Sequence, residues 1–204
     1  MEKRYIEIFT GLRRDYGYAD ITSAFKDPST GKLKLKYGWA AKELLDSDYI
    51  AHLEGKKSIG VQPCNDDGLA HFGAIDIDSD EYDNFDLRKY LEIIDKKNIP
   101  VVPVKSKSGG LHIYVFFKEA VKASYVRNFL DKLLFTFGLK ASTEIFPKQT
   151  QLGMGSDGKF INGNFINLPY YNRNERVGLN LDGTEFTFEQ FIKVVEANRK
   201  TREE

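Results

Sequence analysis

The chain has 204 residues, of which 41% are hydrophobic and 13% aromatic, a composition typical of a globular protein and not of a disordered one. Its single cysteine, Cys64, excludes an internal disulfide and a cysteine cluster for zinc, so no zinc is expected. Lysine plus arginine and aspartate plus glutamate both number 30, so the net charge does not point to a nucleic-acid partner.

The first 65 residues are predicted to form an N-terminal α/β module. Tyr5–Phe9 is predicted to be a strand, a helix is predicted around Gly38–Leu53, and Ile59–Gln62 has the character of a short strand. The N-terminus lacks the apolar centre of a signal peptide, and no apolar run approaches the ~18 residues of a membrane helix. We therefore expect a cytoplasmic protein with no membrane partner.

Residues 66–180 are predicted to form the core of a single domain that spans residues 1–204. Its predicted strands are His71–Asp78, Pro100–Val104, Leu111–Phe117, Thr143–Phe146 and Asn164–Leu168, and its predicted helices are Leu87–Lys97 and Ser124–Phe137, the latter ended by Gly138. A closing helix, Thr187–Asn198, and a tail make up residues 181–204. This order predicts an α/β (α+β) fold with a mainly antiparallel sheet and flanking helices.

The first candidate site residues are Asp76 and Asp78, at the end of the apolar strand 71–78. Residues i and i+2 of a strand point to the same face, so the two carboxylates can share one or two cations. An aspartate pair with this spacing also occurs by chance, and a solvated strand end is the alternative interpretation.

The second candidate is the loop between the predicted strands 100–104 and 111–117, which carries Lys105, Ser106, Lys107, Ser108, Gly109 and Gly110. Glycines permit close backbone approach, and successive N–H groups with lysines and hydroxyls suit a phosphate. His112 follows on the second strand, on the face of Tyr114 and Phe116, where it is equally consistent with a core residue and with a residue that faces a site.

The third candidate is the segment Glu144–Gln149, in which a strand acid precedes Lys148. Each of these residues is by itself also consistent with an ordinary exposed position. The charges are unevenly distributed: residues 66–95 contain ten acids and two bases, and residues 96–148 contain ten bases and three acids. Such blocks suit a metal site beside a phosphate-binding surface, or simply two solvated faces.

Four segments in this order, HFGAIDID, SKSGGLHIYVFF, EIFPKQ and GNFINLPYY, resemble the archaeo-eukaryotic primase superfamily, and most closely the primase-polymerase domains of phages, mobile elements and TOTE-type conflict systems. The resemblance runs from about Ile59 to Arg176. It implies the catalytic fold of that superfamily, with an RRM-like sheet, and a template-directed nucleotidyltransferase that makes or extends primers on single-stranded DNA.

The resemblance also implies roles for individual residues. The family's metal-binding acids fall on Asp76, Asp78 and Glu144, where many relatives have an aspartate at the third position, and its phosphate-binding motif falls on Ser106 or Ser108 and on His112. Lys148, Asn164 and Arg176 match positions that contact nucleotide or template. Many relatives carry a zinc knuckle, which a chain with one cysteine lacks.

The implied cofactors are two Mg²⁺ or Mn²⁺ ions, with Asp76, Asp78, Glu144 and His112 as the catalytic set. The triphosphate is expected at Lys105 or Lys107 and the loop amides, and the template along the basic residues of 96–148. The expected partners are single-stranded DNA, ribo- or deoxyribonucleoside triphosphates, and a helicase or another replication protein. Two alternatives stay open: a single-stranded nucleic-acid-binding module without catalysis, and a metal-dependent nuclease.

Overall fold

The computed structural model describes residues 1–28, 33–107 and 109–201. In chain order its elements are α1 (Glu2–Ile8), β1 (Gly17–Lys26), β2 (Leu33–Trp39), α2 (Asp46–Leu53), β3 (Ser58–Val61), β4 (Leu69–Ile77), a 3₁₀ turn (Ser79–Glu81), α3 (Leu87–Lys96), β5 (Val102–Lys105), β6 (Leu111–Lys122), α4 (Ala123–Phe137), β7 (Glu144–Phe146), β8 (Ile166–Asn167) and α5 (Phe188–Asn198). The strands form two antiparallel sheets with the orders β2-β1-β3-β8 and β5-β6-β4-β7. The mixed α/β class with antiparallel strands is thus confirmed.

The chain begins with helix α1, where we predicted a strand over Tyr5–Phe9, and that prediction is wrong. Ile8 and the C-cap residue Phe9 follow Tyr5 by three and four residues, so they lie on the same side of the helix as Tyr5, and all three are buried. Because a five-residue apolar segment with one central acid is compatible with both structures, the packing of this face against the core decides the outcome.

The ribbon β1–β2 is not predicted from the sequence, and it displaces part of the predicted helix Gly38–Leu53. Gly38 and Trp39 end β2, where they pair with β1, and the helix begins only at Asp46. Much of β1 is exposed, and its sequence GYADITSAFK lacks the strict alternation of a half-buried strand.

From β3 onward the predicted strands and helices are all present. Most ends differ by one or two residues, and β6 continues to Lys122. Gly138 ends α4 in the left-handed conformation, at φ 66°, as a glycine there permits. Thr187 caps α5: its Oγ1 accepts a hydrogen bond from the Gln190 N–H, while the Gln190 side chain accepts one from the Thr187 N–H.

The two faces of β4 belong to two hydrophobic clusters. Phe72 and Ala74 point into the layer between the sheets, which also contains residues of α1, α2 and α5. Ile75 and Ile77 point the other way, into the cluster formed with α3 and α4. Asp76 continues the face of Phe72 and Ala74, so it lies where the layer between the sheets ends.

The predicted N-terminal module and the predicted core share the first sheet, because β3 pairs with β8. The division at residues 65 and 180 remains a prediction. In the described part of the chain, α4 is the longest helix, with 15 residues, and no helix has the length and apolar character that a membrane crossing requires.

Candidate active site

A row of polar side chains crosses the second sheet at the end of β4. Asp76 stands opposite His112 of β6 on one side and opposite Glu144 of β7 on the other. Directly opposed residues of antiparallel strands project to the same face, and Asp78 lies two residues beyond Asp76 on that face. The register of three strands thus brings together four residues from three distant parts of the sequence.

Asp76 and His112 are in contact within this row. His112 Nε2 lies 3.1 Å from Asp76 Oδ1, and the Tyr114 hydroxyl is 3.4 Å from the other ring nitrogen, Nδ1. The contact with Asp76 has the distance of an ion pair but not the direction of a hydrogen bond, so this buried Oδ1 has no hydrogen-bond donor among the described residues. A buried carboxylate oxygen without a donor is costly unless a cation compensates it.

Glu144 is the outer member of the row, and its side chain is about half exposed. Its carboxylate contacts the ammonium group of Lys148, which also lies over the Phe146 ring. Glu144 is paired with Lys148, and Asp76 is in contact with His112. The carboxylates therefore do not point together at a single metal position. In the regions that the structure covers, no group of three histidine, cysteine or acidic side chains encloses a metal position.

The two aspartates have pKa values shifted in opposite directions. Burial would raise the pKa of Asp76, but its interactions with His112 and, to a smaller extent, with the Lys148 ammonium group outweigh burial and hold that pKa below its ordinary value. Burial and the neighbouring charges of Asp76, Asp80 and Glu81 raise the pKa of Asp78. The site therefore combines one firmly ionised carboxylate with one that is destabilised when charged.

The predicted phosphate loop lies beside this row, between β5 and β6. Ser106 is buried and Lys107 is exposed, and both face the same cavity as the aspartates. Ser108 lies outside the described residues. Lys105 is not brought to the cavity, because its ammonium group lies 3.2 Å from the Glu185 carboxylate on the exposed surface.

The two loop glycines have different environments. Gly109 has a left-handed φ of 85° and open space around its Cα, so it serves the turn. A Cβ on Gly110 would lie 2.2 Å from the Ile77 carbonyl oxygen. The close approach at Gly110 is therefore to the end of β4, and this contact positions the strand end that carries Asp78.

These residues line a cavity of about 510 Å³ between the ends of the two sheets. Nine of the predicted site residues line it, namely Asp76, Asp78, Ser106, Lys107, His112, Glu144, Lys148, Asn164 and Arg176. Its remaining lining residues are Tyr37, Trp39, Phe146, Gly163, Phe165, Ile166 and Asn167, which were not predicted. The alternation of LKLKYGW in 33–39 places Tyr37 and Trp39 on one face, and this pattern is the signal that could have identified them.

Asn164 and Arg176 occupy the side of the cavity formed by the first sheet. Asn164 Oδ1 accepts a hydrogen bond of 2.7 Å from the Gln149 side chain. Arg176 is 9% exposed and donates hydrogen bonds to the Leu168 carbonyl and the Ser58 hydroxyl, at 2.8 and 3.3 Å. No carboxylate of the described segments pairs with it. Burial lowers the pKa of Arg176, yet a guanidinium stays charged, so it brings a positive charge to the cavity.

The chain was compared with protein families, curated proteins and solved structures. A family model described as "TOTE conflict system, Archaeo-Eukaryotic Primase domain" matches residues 13–201. Among solved structures, "Cyanophage S-2L Primase-Polymerase (PrimPol), AEP domain (PP-N190)" is similar over 94% of each chain, with 12% identity and a TM-score of 0.43. No curated protein matches the chain. The family match spans most of the chain, whereas the structural likeness is too weak to support any argument about function.

Proposed function

Because the chain belongs to the archaeo-eukaryotic primase domain family of TOTE conflict systems, we propose that it is a nucleotidyltransferase that joins nucleoside triphosphates into a strand on a single-stranded DNA template. Family membership supports the reaction class. The template and the direction of synthesis are part of the proposal.

The observation that carries the proposal is the row His112–Asp76–Glu144, with Asp78 beside it, at the open end of the layer between the sheets. Anionic oxygens stand on one side of the cavity, and the cations of Lys107 and Arg176 also line it. A nucleoside triphosphate needs both: cations for its phosphates, and carboxylates for the divalent ions that accompany them.

Two Mg²⁺ or Mn²⁺ ions would be held by Asp76, Asp78 and Glu144. The donor set fits, because hard divalent cations prefer carboxylate oxygens, and Asp76 Oδ1 is buried without a donor. Lys148 now neutralises Glu144 and would have to release it. When bound, such ions lower the pKa of an attacking hydroxyl and stabilise charge on the α-phosphoryl group.

The protein residues position the reactants. His112 is almost fully buried between Asp76 and Tyr114, so its imidazole lies against the Asp76 carboxylate at the end of β4. Lys107, Arg176 and the hydroxyl of Ser106 are placed to receive the triphosphate. Fixed charges of this kind contribute position and electrostatic stabilisation at the α-phosphoryl group.

The test is incubation of the protein with single-stranded DNA, bare or carrying a 5′-labelled primer, together with labelled ribo- or deoxyribonucleoside triphosphates and Mg²⁺ or Mn²⁺. We expect labelled products longer than the starting strands, and loss of these products in Asp76→Asn. Asp131→Asn is the matched control, because Asp131 is an exposed acid on α4 that does not line the cavity.

Three outcomes would overturn the proposal. Shortened DNA in the presence of metal would indicate a nuclease. Metal-independent binding of DNA that survives in Asp76→Asn, without any extension, would indicate a binding module. Extension that persists in Asp76→Asn at the level of Asp131→Asn would remove this cavity from the reaction.

A further inference from the structure

An aromatic wall lines the cavity together with the carboxylates. We give this name to Tyr37 and Trp39 of β2 together with Phe165, which precedes β8. Tyr37 is 57% exposed and Trp39 is partly exposed, so two large rings of one strand face are accessible within the cavity. Aromatic side chains that are grouped in a cavity and rimmed by polar residues are typical of a ligand-binding groove.

The wall is built on two glycines that lie next to each other in the first sheet. Gly17 of β1 pairs with Gly60 of β3 on one side and with Trp39 of β2 on the other. A Cβ would lie 2.1 Å from the Phe165 ring at Gly17 and 2.3 Å from it at Gly60. The two glycines therefore form a slot that seats the Phe165 ring directly on the sheet.

Phe165 in turn fixes Trp39. The two rings meet edge to face, with centroids 5.1 Å apart and planes at 89°. Aromatic pairs in this arrangement stabilise each other by more than the burial of their surface area alone contributes. Trp39 is thus held in place by a ring that is itself seated on the backbone, while part of its surface remains accessible from the cavity.

The other lining residues define the ligand that fits beside such a wall. Lys107, Arg176 and Lys148 bring positive charge, and Asp76 and Asp78 bring carboxylates. A volume of about 510 Å³ falls within the usual range for a single small-molecule ligand. The cavity therefore suits one molecule with a flat unsaturated part and an anionic part.

We propose that Trp39 is the surface on which the base of the incoming nucleoside triphosphate stacks, with Tyr37 beside it and Phe165 as the residue that positions the indole. This assignment rests on the proposed function, since it takes the nucleotide as the substrate. Every base presents a π face, so stacking on Trp39 holds the base without selecting its identity. Selection is left to pairing with the template.

The chain offers a direct reporter, because Trp39 is its only tryptophan. The experiment titrates the protein with a non-hydrolysable nucleoside triphosphate and Mg²⁺, without template, and follows tryptophan fluorescence. We expect saturable quenching with each of the four bases. Inorganic tripolyphosphate should compete with the nucleotide and reverse the quenching, because it occupies the phosphate side without a ring. Binding detected by calorimetry with unchanged fluorescence, or equal quenching by tripolyphosphate, would overturn the assignment.

Steady-state incorporation by variants gives the second readout. Trp39→Ala should raise the apparent KM for nucleotides about 5- to 150-fold, by a similar factor for all four bases, with a smaller effect on kcat. Trp39→Phe should recover most of this loss. Phe25→Ala is the matched control, because Phe25 is a half-exposed ring of the same ribbon that does not line the cavity. Thermal unfolding of each variant separates a loss of folding from a loss of stacking.

The inference and the proposed function fail in different ways. Saturable quenching without any strand synthesis by the wild-type protein would support the stacking surface and contradict the nucleotidyltransferase. Strand synthesis with an unchanged KM in folded Trp39→Ala would support the nucleotidyltransferase and contradict the stacking surface. A KM that rises for one base alone would also contradict it, since stacking does not distinguish the bases to that degree.

Discussion

At the scale of single residues, Asp76 and Asp78 show how two acids on one strand face acquire different properties. Asp76 is balanced by His112 and Lys148, so folding favours its charged form. Asp78 is half-buried near three other acids, so folding disfavours its charged form. The lowered pKa of Asp76 contributes stability that is present at neutral pH, while the raised pKa of Asp78 subtracts from it.

Neutral variants of the two acids should therefore change stability with opposite signs. In EDTA at pH 7, Asp76→Asn should lower the midpoint of denaturant unfolding and Asp78→Asn should raise it, while each lowers nucleotide incorporation at least about 100-fold. Chemical denaturation followed by circular dichroism measures the first effect and primer extension the second. Shifts of the same sign would show that the charges around these acids do not control stability as described.

His52 is a second buried ionisable residue, away from the cavity. Its Nδ1 accepts a hydrogen bond from the Ile59 N–H, and its Nε2 lies 3.0 Å from the Pro169 carbonyl, which fits a neutral ring with the proton on Nε2. Burial, with the positive charge of Arg176 as a smaller contribution, lowers the pKa of His52 from 6.5 to about 3. Below pH 6.5 the unfolded chain binds a proton here that the folded chain does not.

Stability should consequently fall as the pH decreases from 6.5 towards 3. The contribution of His52 approaches about 1.4 kcal/mol per pH unit below 6.5. His52→Asn should be less stable at pH 7, because it loses the bond to Pro169, but its stability should fall less steeply between pH 6.5 and 5. Urea unfolding across that range tests this, and equal slopes in the two proteins would contradict it.

At the scale of elements, the end of β4 is held by the loop between β5 and β6. Gly110 packs so closely on the Ile77 carbonyl that no side chain fits between them. A glycine-containing loop between two strands can be predicted from the sequence, and its lysines and serines suit the binding of a phosphate. The contact with Ile77 could not be predicted, because it depends on the register between β4 and β6.

Gly110→Ala should move the end of β4 and with it Asp78. We expect a loss of about 1–3 kcal/mol in the free energy of unfolding. We also expect incorporation to fall about 10- to 100-fold, because small displacements of catalytic groups are costly.

Gly153→Ala is the matched control, since a Cβ added at Gly153 would meet no atom within 4 Å and the residue has no left-handed φ. Gly153→Ala should behave like the wild type in both assays. If Gly110→Ala were as stable and as active as this control, the contact with Ile77 would not position the site.

At the scale of the whole molecule, the cavity lies where two rows of residues meet. One row crosses the second sheet through His112, Asp76 and Glu144, and the other crosses the first sheet through Trp39, Gly17 and Gly60. The residues of the first row could be predicted, because their strands are rich in apolar residues and their motifs occur in the order found in the archaeo-eukaryotic primase superfamily. The second row was not predicted: LKLKYGW alternates like a strand, but the pairing of Trp39 with Gly17 and of Gly17 with Gly60 depends on the register between strands distant in sequence.

Long-range packing accounts for the other differences between prediction and structure. Lys105 was expected at the triphosphate, but it pairs with Glu185, which lies 80 residues further along the chain. Phe165 depends on two glycines that are 43 positions apart in the sequence and become neighbours only in the sheet. Such contacts follow from tertiary structure, and neither composition nor periodicity contains them.

A crystal structure of the protein with Mn²⁺ and a non-hydrolysable nucleoside triphosphate tests the proposed site most directly. We expect anomalous manganese peaks beside the carboxylates of Asp76 and Asp78, the phosphates towards Lys107 and Arg176, and the base against Trp39. Manganese and nucleotide bound outside this cavity, with Asp76 still in contact only with His112, would contradict this expectation.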